Sequence, residues 1–358
     1  MEIILILSAL ILGFLLVLIA VPPIIRIAIS KRLFEPFEER KVHTKVVPPL
    51  GGVAIFIAFT LSAIFATDGL EFTELKYILA GVILMFFTGL KDDLIIISAQ
   101  KKLIIQIVAV ILLISFANIH FTNLHGVLGE YKIGHITGIS LSLFAMIVII
   151  NAFNLIDGVD GLASGIGTLA SLLFGSWFYL TGNFPLAIMA FALVGTLAAF
   201  FIYNVFGNSN KLFMGDTGSL IIGFLIAIMV VSFNELNLTA PEAYRIGGAP
   251  AVSFAIIIVP LIDTLRVMTI RIAQRRSPFS PDKNHIHHRL LSLLHSHLKV
   301  TLTILAGNIV LIAIAFGLNH WQLNVNLQFV IVFLIGLGFS MIPSYVLRTK
   351  RSKKVYSS

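Results

Sequence analysis

A chain of 358 residues that is 58% hydrophobic and 12% charged, with a mean hydropathy of +1.00, lacks the polar surface needed to cover a water-soluble fold. Its lack of cysteine excludes disulfides, thiolate metal sites and cysteine nucleophiles, so any metal must be held by oxygen or imidazole. The formal charge of +8 is confined to short segments between apolar runs, which is a topology signal and argues against nucleic acid as a partner.

Apolar runs lie near 3–25, 50–67, 77–91, 103–119, 139–155, 162–181, 184–205, 217–234, 250–273, 300–319 and 327–347. Runs of roughly 20 residues suit membrane helices, whereas a barrel uses alternating segments of roughly 10. The prediction is an all-α polytopic membrane protein of about 11 transmembrane helices, one integral membrane domain over 1–358, with the lipid bilayer as its solvent. The first run follows Met1-Glu2 with no basic region and no small-residue cleavage site, so it reads as a retained helix.

The connecting segments alternate in charge. Twenty-two Lys and Arg fall on one side and three, Lys76, Lys132 and Arg245, on the other, which predicts an outward N-terminus and a cytoplasmic C-terminus. Aspartates, which that rule does not use, divide the same way: Asp92, Asp93, Asp157, Asp160, Asp216, Asp263 and Asp282 fall on the cytoplasmic side and Asp68 outside.

Four segments on that side carry chemistry. The third run ends in G-L-K-D-D, placing Asp92 and Asp93 side by side at the membrane boundary. There they are costly unless cations or a metal compensate them, although a solvated helix end beside snorkelling lysines reads equally well from this pair alone. The fifth run ends in N-A-F-N-L-I-D-G-V-D-G, where Asn154, Asp157 and Asp160 recur every three residues and share one face on helical backbone. Their oxygens suit a hard cation such as Mg²⁺. Between the seventh and eighth runs lies K-L-F-M-G-D-T-G-S-L, in which Asp216 opens a helix as a cap or a metal ligand and Phe213 stands ready to stack on a base or to anchor at the interface.

A basic and histidine-rich cytoplasmic loop at 274–299 follows the ninth run, reading R-R-S-P-F-S-P-D-K-N-H-I-H-H-R. His285, His287 and His288 with Arg275, Arg276, Lys283 and Arg289 form a donor-rich patch suited to phosphate oxygens, or an ordinary positively charged loop. Taken together, the four segments describe a Mg²⁺-diphosphate site at a membrane surface.

This set of motifs resembles the polyprenyl-phosphate N-acetylhexosamine-1-phosphate transferases, the bacterial superfamily that includes MraY, WecA and TagO. The resemblance runs in order from R-K-V-H-T-K-V-V-P-P-L-G-G at 40–52 through K-D-D, N-L-I-D-G-V-D-G and F-M-G-D-T-G-S to H-I-H-H at 285–288, about 250 residues. H-I-H-H preceded by S-P-F-S-P-D looks like the WecA/TagO branch, since the MraY branch has three consecutive histidines. The resemblance implies catalytic roles for Asp92, Asp93, Asp157, Asp160, His285, His287 and His288. It places Lys102 on the donor phosphates, Phe213 on uracil and Asn204 on the nucleotide, the last over a segment longer than its MraY counterpart. Asp216 and Asn154 become ligands of Mg²⁺, with Mn²⁺ as a substitute.

The partners so implied are a UDP-N-acetylhexosamine, UDP-GlcNAc first, and undecaprenyl phosphate, in the bacterial cytoplasmic membrane with the site facing the cytoplasm. A homodimer is one allowed assembly. The expected reaction forms undecaprenyl-diphospho-sugar and UMP, by direct attack or through a covalent aspartyl-phosphate, and opens a cell-envelope polysaccharide pathway. An MraY-like phospho-MurNAc-pentapeptide transferase is the alternative within the superfamily. A secondary transporter is the alternative outside it, and would carry intramembrane carboxylates reaching both faces, which this sequence lacks.

Overall fold

A computed structural model describes residues 2–33, 47–67, 69–208, 210–276 and 284–356, with side chains to 349. Residues 40–46 of the first motif, Asp68, Asp282 and Lys283 lie outside the described residues. In chain order the helices are α1 (Glu2–Ser30), α2 (Gly51–Ala66), α3 (Leu75–Leu94), α4 (Ala99–Phe116), α5 (His135–Ile156), α6 (Leu162–Leu180), α7 (Phe184–Phe206) and α8 (Gly215–Asn237). After these come α9 (Ala249–Ile256), α10 (Ile258–Ala273), α11 (Ile286–Leu294), α12 (His297–His320) and α13 (Val325–Tyr356). A hairpin of β1 (Asn123–Val127) and β2 (Glu130–Lys132) joins α4 to α5, antiparallel with Asn123 opposite Lys132.

Every predicted run is occupied by a helix or, for 250–273, by two. Among the described residues eight helices are long and apolar enough to cross a membrane, and nine if the bent pair α9/α10 counts as one span. The prediction of eleven exceeds this because α2 has only 16 residues and α3 ends in Lys91, Asp92 and Asp93.

Helix α8 is buried on every side from Thr217 to Asn234, as a helix without a polar stripe must be, and α2, α3, α5, α6 and α9 pack around it. Helices α1 and α13 are peripheral. Isoleucines and leucines such as Ile4, Ile19, Leu334 and Ile342 stand exposed on them, a surface suited to lipid and costly in water.

One predicted span is not straight. Between α9 and α10 the axis turns by 77° at Ile257. Pro260 has no amide to give the carbonyl of Ile256 one turn earlier, and Asn308 of α12 supplies the missing donor, its Nδ2 reaching that oxygen at 3.0 Å. The 274–299 loop is also partly ordered: α11 buries Ile286, His287 and Leu290, and α12 already begins at His297.

All the motif-bearing helix ends gather at one end of the bundle. The C-terminal ends of α3, α5 and α10 meet the N-terminal ends of α4, α6, α8 and α12 there, with α11 packed against α12, α13 and the turn between α5 and α6.

Candidate active site

The centre of the site is an ammonium between two carboxylates. Lys102, in the first turn of α4, places Nζ 2.5 Å from Asp92 Oδ2 at the end of α3 and 2.5 Å from Asp216 Oδ2 in the first turn of α8. Asp92 also accepts the amide of Ile97 at 2.7 Å, which fixes the turn between α3 and α4. The other oxygen of Asp216 accepts from Asn154 Nδ2 at 2.8 Å, and the same amide donates to Ser219 Oγ at 2.9 Å. Three of the four predicted segments are thus joined through a single carboxylate.

Asp93 faces elsewhere. It accepts the amides of Asp216 at 2.7 Å and Thr217 at 3.0 Å and the Thr217 hydroxyl at 2.5 Å, so it caps α8 from a neighbouring helix. The turn before this cap depends on Gly215 at φ +70°, where a Cβ would collide with Pro49 O and the Asp93 carboxylate. With its oxygens on the helix end, Asp93 positions α8 beside the Asp92–Lys102–Asp216 bridge.

Asp157 and Asp160 occupy the turn between α5 and α6 and differ sharply. Asp160 is clamped: Lys211 Nζ lies 2.5 Å and His297 Nδ1 3.1 Å from its carboxylate, and its carbonyl accepts the Thr301 hydroxyl at 2.7 Å. Burial pushes its pKa up, but hydrogen bonds and charge from His297 and Lys211 outweigh that and hold it below the ordinary aspartate range. Asp157 has no cationic partner among the described residues. Burial, followed by the negative charges of Asp216, Asp93 and Asp160, raises its pKa well above the usual value. A cation beside it would relieve this repulsion.

Lys211 does a second thing. Its ammonium lies 5.6 Å from the centroid of the Phe213 ring, so the clamp on Asp160 also holds that aromatic. The backbone of the same segment is stitched to the start of α2, Phe213 donating to Pro48 O at 3.0 Å and accepting from Gly51 at 2.8 Å. Asn204, expected on the nucleotide, is buried, with Oδ1 accepting from Gly161 at 2.6 Å and Nδ2 donating to Leu212 O at 2.9 Å. These bonds pin the turn before α6 to the segment before α8.

The histidines divide as well. His285 is buried and its Nδ1 lies 2.8 Å from Asp263 Oδ2, so Nδ1 carries the proton and Nε2 is left as the ring's other pole. The second oxygen of Asp263 accepts the Ile286 amide at 2.8 Å, capping α11, and Arg266 at 2.9 Å, while the same guanidinium donates to Asn284 O at 2.7 Å. Asp263 was visible only as one more cytoplasmic-side aspartate, because beyond Arg266 its partners lie 22 and 23 residues further along the chain.

His287 is seated on Gly158, where any Cβ would overlap its Nε2. Its Nδ1 is buried with no hydrogen bond among the described residues. Burial, then the charge of His288, lowers its pKa to about 3, so it stays neutral and ties α11 to the Asp157–Asp160 turn. His288 is half-buried, with its ring 4.3 Å from that of His287. Arg275 and Arg276 are exposed where α10 ends, and Arg289 donates to Asn284 Oδ1 at 2.7 Å in a cleft between α11 and α13.

The carboxylates of Asp92, Asp157 and Asp216 with the amide oxygen of Asn154 make a hard-oxygen set, and with Asp157 uncompensated their charge suits a divalent cation. No three carboxylate or imidazole groups already enclose one point among the described residues. In this arrangement the ammonium of Lys102 holds the place between Asp92 and Asp216.

The profile of glycosyl transferase family 4 matches residues 75–234, the stretch from α3 to α8 that carries the carboxylate centre. An undecaprenyl-phosphate alpha-N-acetylglucosaminyl 1-phosphate transferase of Yersinia pestis is 32% identical over 270 residues, 74% of this chain and 71% of its own length. Its namesake in Escherichia coli strain K12 is 31% identical over 256 residues, covering 70% and 67%. A probable undecaprenyl-phosphate N-acetylglucosaminyl 1-phosphate transferase of Bacillus subtilis strain 168 is 30% identical over 334 residues, covering 93% and 82%. With that coverage, and with the motif residues brought to one end of one bundle, the chain belongs to the polyprenyl-phosphate N-acetylhexosamine-1-phosphate transferase superfamily and is WecA-like.

Proposed function

We propose that the protein transfers N-acetylhexosamine 1-phosphate, with GlcNAc as the sugar, from UDP-GlcNAc to undecaprenyl phosphate and releases UMP. The observation that supports this most is the Asp92–Lys102–Asp216 bridge. It holds one cation and two carboxylates at the membrane boundary, where a diphosphate carried by a soluble nucleotide meets a phosphate carried by a lipid.

In the reaction an oxygen of the lipid phosphate attacks the sugar-linked phosphorus of the donor. The bond from that phosphorus to the oxygen bridging toward uridine breaks, and its electron pair leaves on UMP. A phosphate monoester has its second pKa near ~6 and is largely ionised at neutral pH, so direct attack needs no strong base and no covalent aspartyl intermediate. Asp92 orients the acceptor and takes any residual proton. Lys102 neutralises phosphate oxygens as charge shifts toward the leaving group. Lys211 and Asp160 hold Phe213 as a platform for the uracil ring.

Asp216 and Asn154, with Asp92 or Asp157 beside them, would hold Mg²⁺, which when bound supplies charge neutralisation on the diphosphate. His285, oriented by Asp263, offers Nε2 to phosphate oxygens. Eleven spans, an outward N-terminus and a site facing the cytoplasm of the bacterial inner membrane complete the reading, supported by the division of twenty-two basic residues against three. The product then enters cell-envelope polysaccharide synthesis as its first lipid-linked intermediate.

The test is a donor screen with purified protein, undecaprenyl phosphate and Mg²⁺, reading UMP release. Turnover with UDP-GlcNAc that stops when Mg²⁺ is chelated, and falls by at least ~100-fold in Lys102→Met, supports the reading. No UMP from any UDP-N-acetylhexosamine would overturn it.

A further inference from the structure

A second cleft lies beside α11, lined in part by His288 and Arg289, two of the residues that the sequence placed in a phosphate-binding patch. It is an open cleft between α11 and α13, measures about 530 Å³, and includes Asn284, His288, Arg289, Ser344, Leu347 and Arg348 among its walls. That volume falls within the roughly 300–1,000 Å³ of small-molecule sites. Among the described residues its lining includes two guanidiniums and an imidazole and no carboxylate, whereas the active centre gathers five aspartates. Arg289 is aimed by its hydrogen bond to Asn284 at 2.7 Å. Ser344 has its hydroxyl oxygen buried with no hydrogen-bond partner among the described residues, a donor at the cleft wall left for something to accept.

Two planar guanidiniums beside a hydroxyl and an imidazole match an anion with several oxygens, which is the geometry of phosphate. The setting says what carries that phosphate. Ser344, Leu347 and Arg348 lie at the end of the apolar stretch of α13 from Val325 to Thr349, one of the helices long and apolar enough to cross a membrane, and the same turns expose Met341, Ile342 and Tyr345. Cations at the end of a lipid-facing helix, above an apolar flank with an aromatic at the boundary, suit a charged head on a hydrocarbon chain. We propose that the cleft between α11 and α13 binds the phosphate headgroup of a membrane lipid, separately from the carboxylate centre.

Because α11 seats His287 on Gly158, beside the Asp157–Asp160 turn, a lipid held there would brace the helix from behind. The proposal concerns binding, so it stands or falls independently of transferase activity.

The experiment measures lipid retained by the full-length, detergent-purified protein in native mass spectrometry. The probes are phosphatidylglycerol, phosphatidylcholine and undecaprenyl phosphate, with inorganic phosphate in a parallel thermal-shift arm. Wild type should retain a lipid of net negative headgroup over phosphatidylcholine, and Arg348→Gln should weaken that retention roughly tenfold, the loss expected for one charge-assisted hydrogen-bonding partner. Ser344→Leu, which fills the cleft without removing charge, should do the same, and Arg348→Lys should keep most of the binding. Unchanged circular dichroism shows that the variants fold, and if Arg348→Gln does not, Ser344→Leu decides.

Selective loss of phosphatidylglycerol assigns the site to a bulk phospholipid, and selective loss of undecaprenyl phosphate assigns it to the acceptor. Equal retention by wild type and both variants, equal binding of phosphatidylcholine, or equal stabilisation by inorganic phosphate alone would each overturn the proposal and leave Arg348 an interfacial anchor.

Discussion

Asp93 and Thr217 are joined twice, amide to carboxylate at 3.0 Å and hydroxyl to carboxylate at 2.5 Å, across two helices 124 residues apart in sequence. This makes the acidic pair asymmetric. Asp92 faces Lys102 and Asp216, whereas Asp93 holds the end of α8 on which Asp216 sits.

Asp93→Asn should therefore act first on stability, lowering the unfolding free energy by about 2 kcal/mol, as the loss of a charged helix cap does. Asp92→Asn should leave the melting temperature in detergent nearly unchanged while abolishing most of the turnover. Thermal unfolding of the two variants side by side checks this. A melting temperature for Asp93→Asn equal to wild type would refute the capping role.

Gly158 and His287 should behave as one unit. Gly158→Ala pushes the ring off its seat and is expected to reduce turnover by about 10-fold or more, while Gly158→Ala combined with His287→Ala should lose less than the product of the single effects. A double-mutant cycle on kcat checks the coupling. His287 also predicts an acid limb in stability. Its folded pKa of about 3 lies below the unfolded 6.5, so its contribution is fully present above 6.5 and is lost as pH falls from there toward 3. His287→Phe should flatten that limb in a melting profile taken across the same range.

Asp263, Arg266 and His285 form a buried charge cluster, and breaking it from one side leaves an uncompensated guanidinium. Asp263→Asn is expected to cost about 3 kcal/mol, and adding Arg266→Met should restore part of that. Denaturant unfolding of the single and double variants is the measurement. Strictly additive losses would contradict the pairing.

Asp157 sets a pH dependence on metal binding. Its pKa is raised in the folded protein, so it is protonated at pH values where an ordinary aspartate is ionised, and a cation bound to its carboxylate must displace that proton. The Mg²⁺ concentration for half-maximal turnover should rise as pH falls through that raised pKa. Asp157→Asn should raise it at all pH values and remove most of the slope.

The spans, the one-sided aspartates and the membership of Lys102, Asn154 and Asp216 in one centre were legible because apolar run length and motif chemistry are local properties of the sequence. The division between Asp92 and Asp93 was not, since adjacent residues on a helix differ by about 100° in direction and only the position of α8 decides which one meets Lys102. Asp263 and Lys211 escaped for the same reason, as each finds its partner through packing between distant helices. The bend at Ile257 was within reach, because Pro260 marks it, although its repair by Asn308 was not.

The central claim is that a phosphorus atom, and not the sugar alone, moves to the lipid. UDP-GlcNAc labelled with ³²P at the sugar-linked phosphate, incubated with the purified protein, undecaprenyl phosphate and Mg²⁺, tests it most directly. Transfer of the phosphorus puts label in the organic-extractable lipid in step with unlabelled UMP in the aqueous phase. Label remaining in aqueous UDP while GlcNAc enters the lipid would contradict it.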